Sequence, residues 1–207
     1  MKKVTLLLLL STLSLSVIAQ EKQDFKNIIG ISPLQLFNGV RIKYERTLNE
    51  KITYGGILTG YYPNPAFHSY TGVQIAPTIR GFFKENAPKG FYVQAKILGG
   101  IYSAENTIEI YDKPYSPDYE RIYIKSEDRI KKIASFGVGM AIGFQTVWGE
   151  KKRMILDMNL GLKYMGNSPS PKLKDNEERF PETKHLNWYV FGPASIVDGL
   201  ISIGYRF

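Results

Sequence analysis

The chain has 207 residues, 27 Lys+Arg against 19 Asp+Glu, a formal net charge of +8 and no cysteine. The missing thiols exclude disulfides, a lipid-modified cysteine and thiolate zinc sites, and one domain is the expectation at this length. Mean hydropathy is −0.19, which fits a soluble protein and equally a chain whose strands alternate apolar and polar residues.

Residues 1–19 read as a signal peptide. Lys2 and Lys3 make a basic start, 6–18 is apolar apart from Ser11, Thr12, Ser14 and Ser16, and Val17-Ile18-Ala19 offers a small-residue cleavage site. The alternative, an anchoring helix, is disfavoured by those hydroxyls and by the short run. The domain then occupies 20–207, and no other stretch approaches a spanning helix. Losing Lys2 and Lys3 leaves the charge basic. No nucleic-acid motif accompanies it, so the phosphates of an outer-leaflet glycolipid are the expected anionic neighbours, with a balance lacking any specific partner as the alternative.

In chain order, 28–36 reads as a first strand, with Pro33 forcing a bulge or an unpaired position. Asn38-Gly39 is a tight hairpin signal. At 40–47 the alternation is clean, with Val40, Ile42 and Tyr44 on one face and Arg41, Lys43 and Glu45 on the other. A short turn at 49–51 precedes a glycine-rich strand at 52–62, and 62–72 is a Pro/Asn loop. Strand 73–84 sets Val73, Ile75, Ile79 and Phe83 against Gln74, Thr78, Arg80 and Lys84. After a turn at 85–90, strand 91–102 sets Phe91, Val93, Ala95, Ile97 and Ile101 against Gln94 and Lys96.

The long connection 103–132 holds two alternating pieces, 107–111 and 121–125, and reads as that hairpin carried onward beyond a membrane. Strand 133–147 places Phe136, Val138, Met140 and Ile142 on one face and Ser135, Gly137, Gly139, Ala141 and Gly143 on the other. Small residues there leave room for long charged side chains from neighbouring strands. A turn at 148–152 carries Trp148, and strand 153–164 sets Met154, Leu156, Met158, Leu160 and Leu162 against Asp157, Asn159 and Lys163. A long loop at 165–194 leads to the closing strand 195–207, whose Val197, Ile201, Ile203, Tyr205 and Phe207 oppose Asp198, Ser202 and Arg206.

The count is eight strands, and short connections (49–51, 85–90, 148–152) alternate with long ones (62–72, 103–132, 165–194). This predicts an all-β, eight-stranded antiparallel up-and-down transmembrane β-barrel with both chain ends periplasmic. A soluble lipocalin-like barrel would need an apolar inward face. The expected interior charge network is Arg41, Lys43, Glu45, Arg80, Lys96, Asp157, Lys163, Asp198 and Arg206, with Glu45, Asp157 and Asp198 bridging the cations because enclosed charges must pair. An eight-stranded cylinder is narrow enough to be filled by these side chains. The rival is a narrow pore with an anion-favouring lining. Tyr54, Phe83, Phe91, Trp148, Tyr205 and Phe207 are expected in one interfacial girdle and Tyr61, Tyr62, Tyr102 and Tyr164 in the other. Tyr111, Tyr115, Tyr119 and Tyr123 are either the arm's own packing or a contact surface.

The runs I-S-P-L-Q-L-F-N-G (31–39), V-R-I-K-Y-E-R-T-L (40–48), N-E-K-I-T-Y-G-G (49–56) and the ending G-Y-R-F (204–207) resemble small outer-membrane barrels of Bacteroidetes-type bacteria. These are grouped as a DUF3575-like, or outer membrane protein beta-barrel, family. The resemblance implies the fold and a bacterial outer-membrane location, and it brings no catalytic residues. It also implies recognition of the final strand, with Tyr205 and Phe207, by the barrel-assembly machinery.

Only His68 and His185 are available for acid–base work, both in expected loops. His68-Ser69 lacks the spacing that lets a base reach a hydroxyl, and no H-x-H or H-E-x-x-H motif is present. The expectation is therefore a monomeric, non-enzymatic barrel with no cofactor, structural or acting in surface interaction through 103–132 and 165–194. A lipid-modifying enzyme, a narrow pore and a secreted soluble ligand-binding barrel are the alternatives.

Overall fold

A computed structural model of the chain describes residues 26–33, 39–63, 70–84, 87–115, 120–166, 172–180, 188–190 and 192–207. The signal-peptide reading of 1–19, the Asn38 half of the first hairpin signal, His68, Tyr119 and His185 lie outside them.

The described residues form nine strands: β1 (Asn27–Ile31), β2 (Gly39–Thr47), β3 (Ile52–Tyr61), β4 (Tyr70–Phe82), β5 (Gly90–Tyr111), β6 (Tyr123–Trp148), β7 (Met154–Met165), β8 (Glu177–Phe180) and β9 (Val197–Arg206). Eight of them close into an antiparallel barrel in the order β1-β2-β3-β4-β5-β6-β7-β9, with β1–β9 and β4–β5 pairings completing the ring. Period-two patterning produces this wall. One face of each strand is aliphatic and β-branched, the other carries polar or small side chains, and the cylinder turns the second face inward. Thus Val40, Ile42 and Tyr44 are exposed while Arg41, Lys43 and Glu45 are buried, and the same division recurs along β4, β5, β7 and β9.

The beginning of β1 and the end of β9 meet at the short-turn end, where Asn27 and Phe207 exchange backbone hydrogen bonds at 2.9 and 2.8 Å. Close by, Gly149 (φ 87°) and Lys152 (φ 49°) bend the chain between β6 and β7 through left-handed backbone. Lys84, expected on the inward face, lies past the end of β4 and is exposed.

Two features depart from a plain cylinder. β5 and β6 pair continuously from Gly90↔Gln145 to Tyr111↔Tyr123, with one register shift at Ile110/Tyr111, so their hairpin runs far past the end of β7. β8, inside what reads as a loop at 165–194, adds to the free edge of β5 from Thr107↔Phe180 to Ile110↔Glu177. Glu-Glu-Arg-Phe is too short and too charged to announce a strand, and tertiary pairing makes it one.

Candidate functional site

The barrel interior is built in three tiers. Nearest the short turns, Lys43, Glu45, Arg80 and Asp157 form a ring of alternating charge. Lys43 Nζ meets Glu45 Oε2 at 2.9 Å and Asp157 Oδ2 at 2.7 Å; Arg80 meets the same two atoms at 2.8 and 3.0 Å. Uncharged groups saturate much of the rest. Gln94 Oε1 accepts from Arg80 Nε at 2.8 Å, Gln145 Oε1 accepts from Arg80 Nη1 at 2.8 Å, and Tyr92 donates to Asp157. The Tyr92 ring faces the Arg80 guanidinium at 4.4 Å and accepts at its hydroxyl from Asn159 Nδ2. Asp157 has no exposed surface and Arg80 only 1 %. At that depth the charges persist because each meets an opposite partner.

The middle tier is Arg41, Lys96, Lys163 and Asp198, all buried. Lys96 Nζ donates to Asp198 Oδ2, Lys163 Nζ stands 3.8 Å from Oδ1, and Arg41 Nη1 donates to the Gly199 carbonyl at 3.2 Å. Gly139 on β6 makes space for both lysines. A Cβ there would lie 2.8 Å from Lys96 Cε and 3.0 Å from Lys163 Cβ.

The third tier closes the long-loop end. Trp188, with no exposed surface, packs edge-on against Tyr70 (5.3 Å, 88°) and Tyr102 (5.1 Å, 84°), and Tyr61 touches both tyrosines. Below them Gln74 accepts from the Tyr61 hydroxyl at 3.0 Å, amid Ile57, Leu98, Met165 and Leu200.

Of the nine side chains expected in an interior charge network, eight are buried inside the cylinder and share the two charged tiers. Arg206 is half-buried at the short-turn rim, beside Lys89 and Lys152. Tyr61 and Tyr102, expected in an outward girdle, point inward instead. Tyr61 shares the parity of Thr53, Ile57 and Thr59, and Tyr102 that of Tyr92, Gln94 and Lys96. Tyr62 and Tyr164 are exposed, as are Tyr54, Phe83, Phe91, Trp148, Tyr205 and Phe207. Trp188 escapes a reading by strand periodicity because it belongs to no strand; the apolar run Trp188-Tyr189-Val190-Phe191 late in the loop is its signal in the sequence.

Outside the cylinder, β8 is clamped to the arm. Arg129 on β6 reaches across β5 to grip both Glu177 oxygens, at 2.8 and 2.9 Å, and the Lys174 amide donates to Glu177 Oε2 at 3.0 Å. These donors hold the Glu177 carboxyl down at about 2. Arg121 bonds Glu178 at 2.6 Å and stacks on Tyr111 (4.3 Å) and Tyr115 (4.9 Å), while Tyr111 meets Tyr123 edge-on. The arm tyrosines that are described therefore pack on one another and on Arg121, and Tyr115 and Tyr123 still present exposed surface.

Comparison of the chain with family models, curated proteins and solved structures returns no significant match.

Proposed function

We propose that this is a non-enzymatic outer-membrane barrel of the small Bacteroidetes-type kind its sequence resembles, with short turns and both chain ends periplasmic. In this reading the β5–β6–β8 arm serves surface interaction. The observation that carries it is the outer wall. Ile75, Ile97, Ile101, Phe136, Met140, Ile142, Leu160 and Leu162 all stand more than half exposed, while the charges sit inside. A water-soluble protein rarely exposes so large a contiguous apolar surface, whereas lipid requires it. Aromatics flank the band: Phe83, Phe91, Trp148 and Tyr205 toward the short turns, Tyr62 and Tyr164 toward the long loops. Pro77 suits the same reading. It lies where the β4–β5 ladder skips from Ile75↔Gly99 to Thr78↔Lys96, and it helps line a shallow apolar groove suited to acyl chains.

The filled interior supports a structural role over a pore. Among the described residues an ion-paired ring lies beneath an aromatic cap, and both occupy the interior that a pore would need open. The arm, with Tyr115, Ile122 and Tyr123 exposed toward its far end, is the contact element, together with residues 165–194. Final-strand residues Tyr205 and Phe207 would present the signal to the assembly machinery, and outer-leaflet phosphates are the expected neighbours of a chain whose overall charge is basic.

Membrane fractionation tests the location. The protein should sediment with outer membranes, require detergent for release and migrate differently on gels before and after boiling; recovery in the soluble fraction without detergent overturns it. Replacing 103–132 and 165–194 with short turns tests the role: surface binding should vanish while the barrel still folds, and binding that survives rejects the assignment.

A further inference from the structure

The two charged tiers differ in a way that folding alone leaves unresolved. The ring of Lys43, Arg80, Glu45 and Asp157 is balanced, two charges against two. The middle tier sets Arg41, Lys96 and Lys163 against one carboxylate among the described residues, Asp198. Enclosed charge without a counter-charge is costly, and the arginine cannot relieve it by losing a proton. Its Nε is buried with no hydrogen-bond partner in the protein. Lys96 and Lys163 flank the same glycine, so no side chain from β6 separates them.

We propose that this tier is a binding site for one small inorganic anion of the halide class, held by Arg41, Lys96 and Lys163. An anion there supplies the missing acceptor to Arg41 Nε and turns the mutual repulsion of three cations into three attractions. The aromatic cap above and the charge-balanced ring below favour a monatomic ion over a phosphate, which would need more room and carry more charge into a narrow cylinder. The site lies within the wall and stands whether or not lipid surrounds the barrel.

The test titrates sodium bromide against sodium gluconate at fixed ionic strength, using detergent-folded full-length protein, and follows the thermal midpoint. The wild-type midpoint should rise with bromide and saturate, because a ligand bound only by the native state stabilises it by mass action. Lys163→Met should weaken the apparent bromide affinity by about tenfold or more. Lys163→Gln, closer in shape and polarity, is the second variant should the methionine form not fold. Bromide-soaked wild-type crystals should show an anomalous peak within hydrogen-bond reach of Arg41 Nε. A midpoint indifferent to bromide, or a Lys163 variant responding as the wild type does, overturns the proposal.

Discussion

The Tyr92 hydroxyl donates to Asp157 Oδ1 at 2.5 Å while Lys43 holds the other carboxylate oxygen at 2.7 Å. Asp157 on β7 is thus tied to β5, two strands along the wall, as well as to the charge ring. Replacing it with alanine leaves Arg80 and Lys43 facing a single carboxylate. We expect a loss of about 3–5 kcal/mol, the usual consequence of breaking a buried pair from one side. Urea unfolding in detergent measures it, and a coupling energy near zero in a double-mutant cycle with Arg80→Met would show that the ring is not a unit.

Gly143 is where the Tyr92 ring comes closest to β6. A Cβ added there would collide with the ring and lie 2.7 Å from the Met158 carbonyl, whereas one at Gly60 meets nothing within 4 Å. Gly143→Ala should therefore cost about 1–3 kcal/mol as an overpacked site. Gly60→Ala should be neutral or stabilising by up to about 1 kcal/mol. Equal unfolding midpoints for the two variants would contradict the packing described.

Removing the cap separates its stabilising role from a gating one. Trp188→Ala deletes a fully buried indole and should cost about 3–5 kcal/mol. Planar-bilayer recordings should nonetheless show no new conductance, since the charge ring still fills the cylinder underneath. Open channels in this variant would favour the pore reading.

The Arg129–Glu177 clamp gives the arm a pH dependence of defined sign. The carboxyl is held at about 2, below its ordinary 4.5, so its contribution is fully present above pH 4.5 and is lost as pH falls toward 2. Arg129 stays charged throughout, and Glu127, 3.5 Å from its Nε, is the other carboxylate facing it. Hydrogen exchange of the β5 amides at 107–110 should accelerate between pH 4.5 and 2 relative to the intrinsic rate. Glu177→Gln should exchange faster at neutral pH and show no such step; a wild-type step surviving in this variant assigns it to another group.

Much of the wall is readable from parity alone. Val40 to Glu45 alternates so strictly that the faces of β2 follow from a period of two, and the small residues from Ser135 to Gly143 foretell the space that Tyr92, Lys96 and Lys163 occupy. Parity also exposes the misreading of Tyr61 and Tyr102: placed by composition at a rim, they belong by count to the inward set. What periodicity cannot supply is partnership across the barrel. Nothing near Asp198 in the sequence shows that Lys96 reaches it, and nothing in Glu177–Phe180 shows that the edge of β5 is waiting. Arg206 has inward parity, yet its place at the strand terminus leaves it half in solvent.

β5 and β6 pass from wall to arm with a single bulge near the tip, and β4 and β7 flank them only within the wall. A load applied at the tip would travel down a stiff ribbon and meet resistance as shear, many rungs straining together, where a hinged loop would peel one rung at a time. A partner gripping the far end would therefore pull on the wall through both strands, as a mast loads the hull it is stepped into.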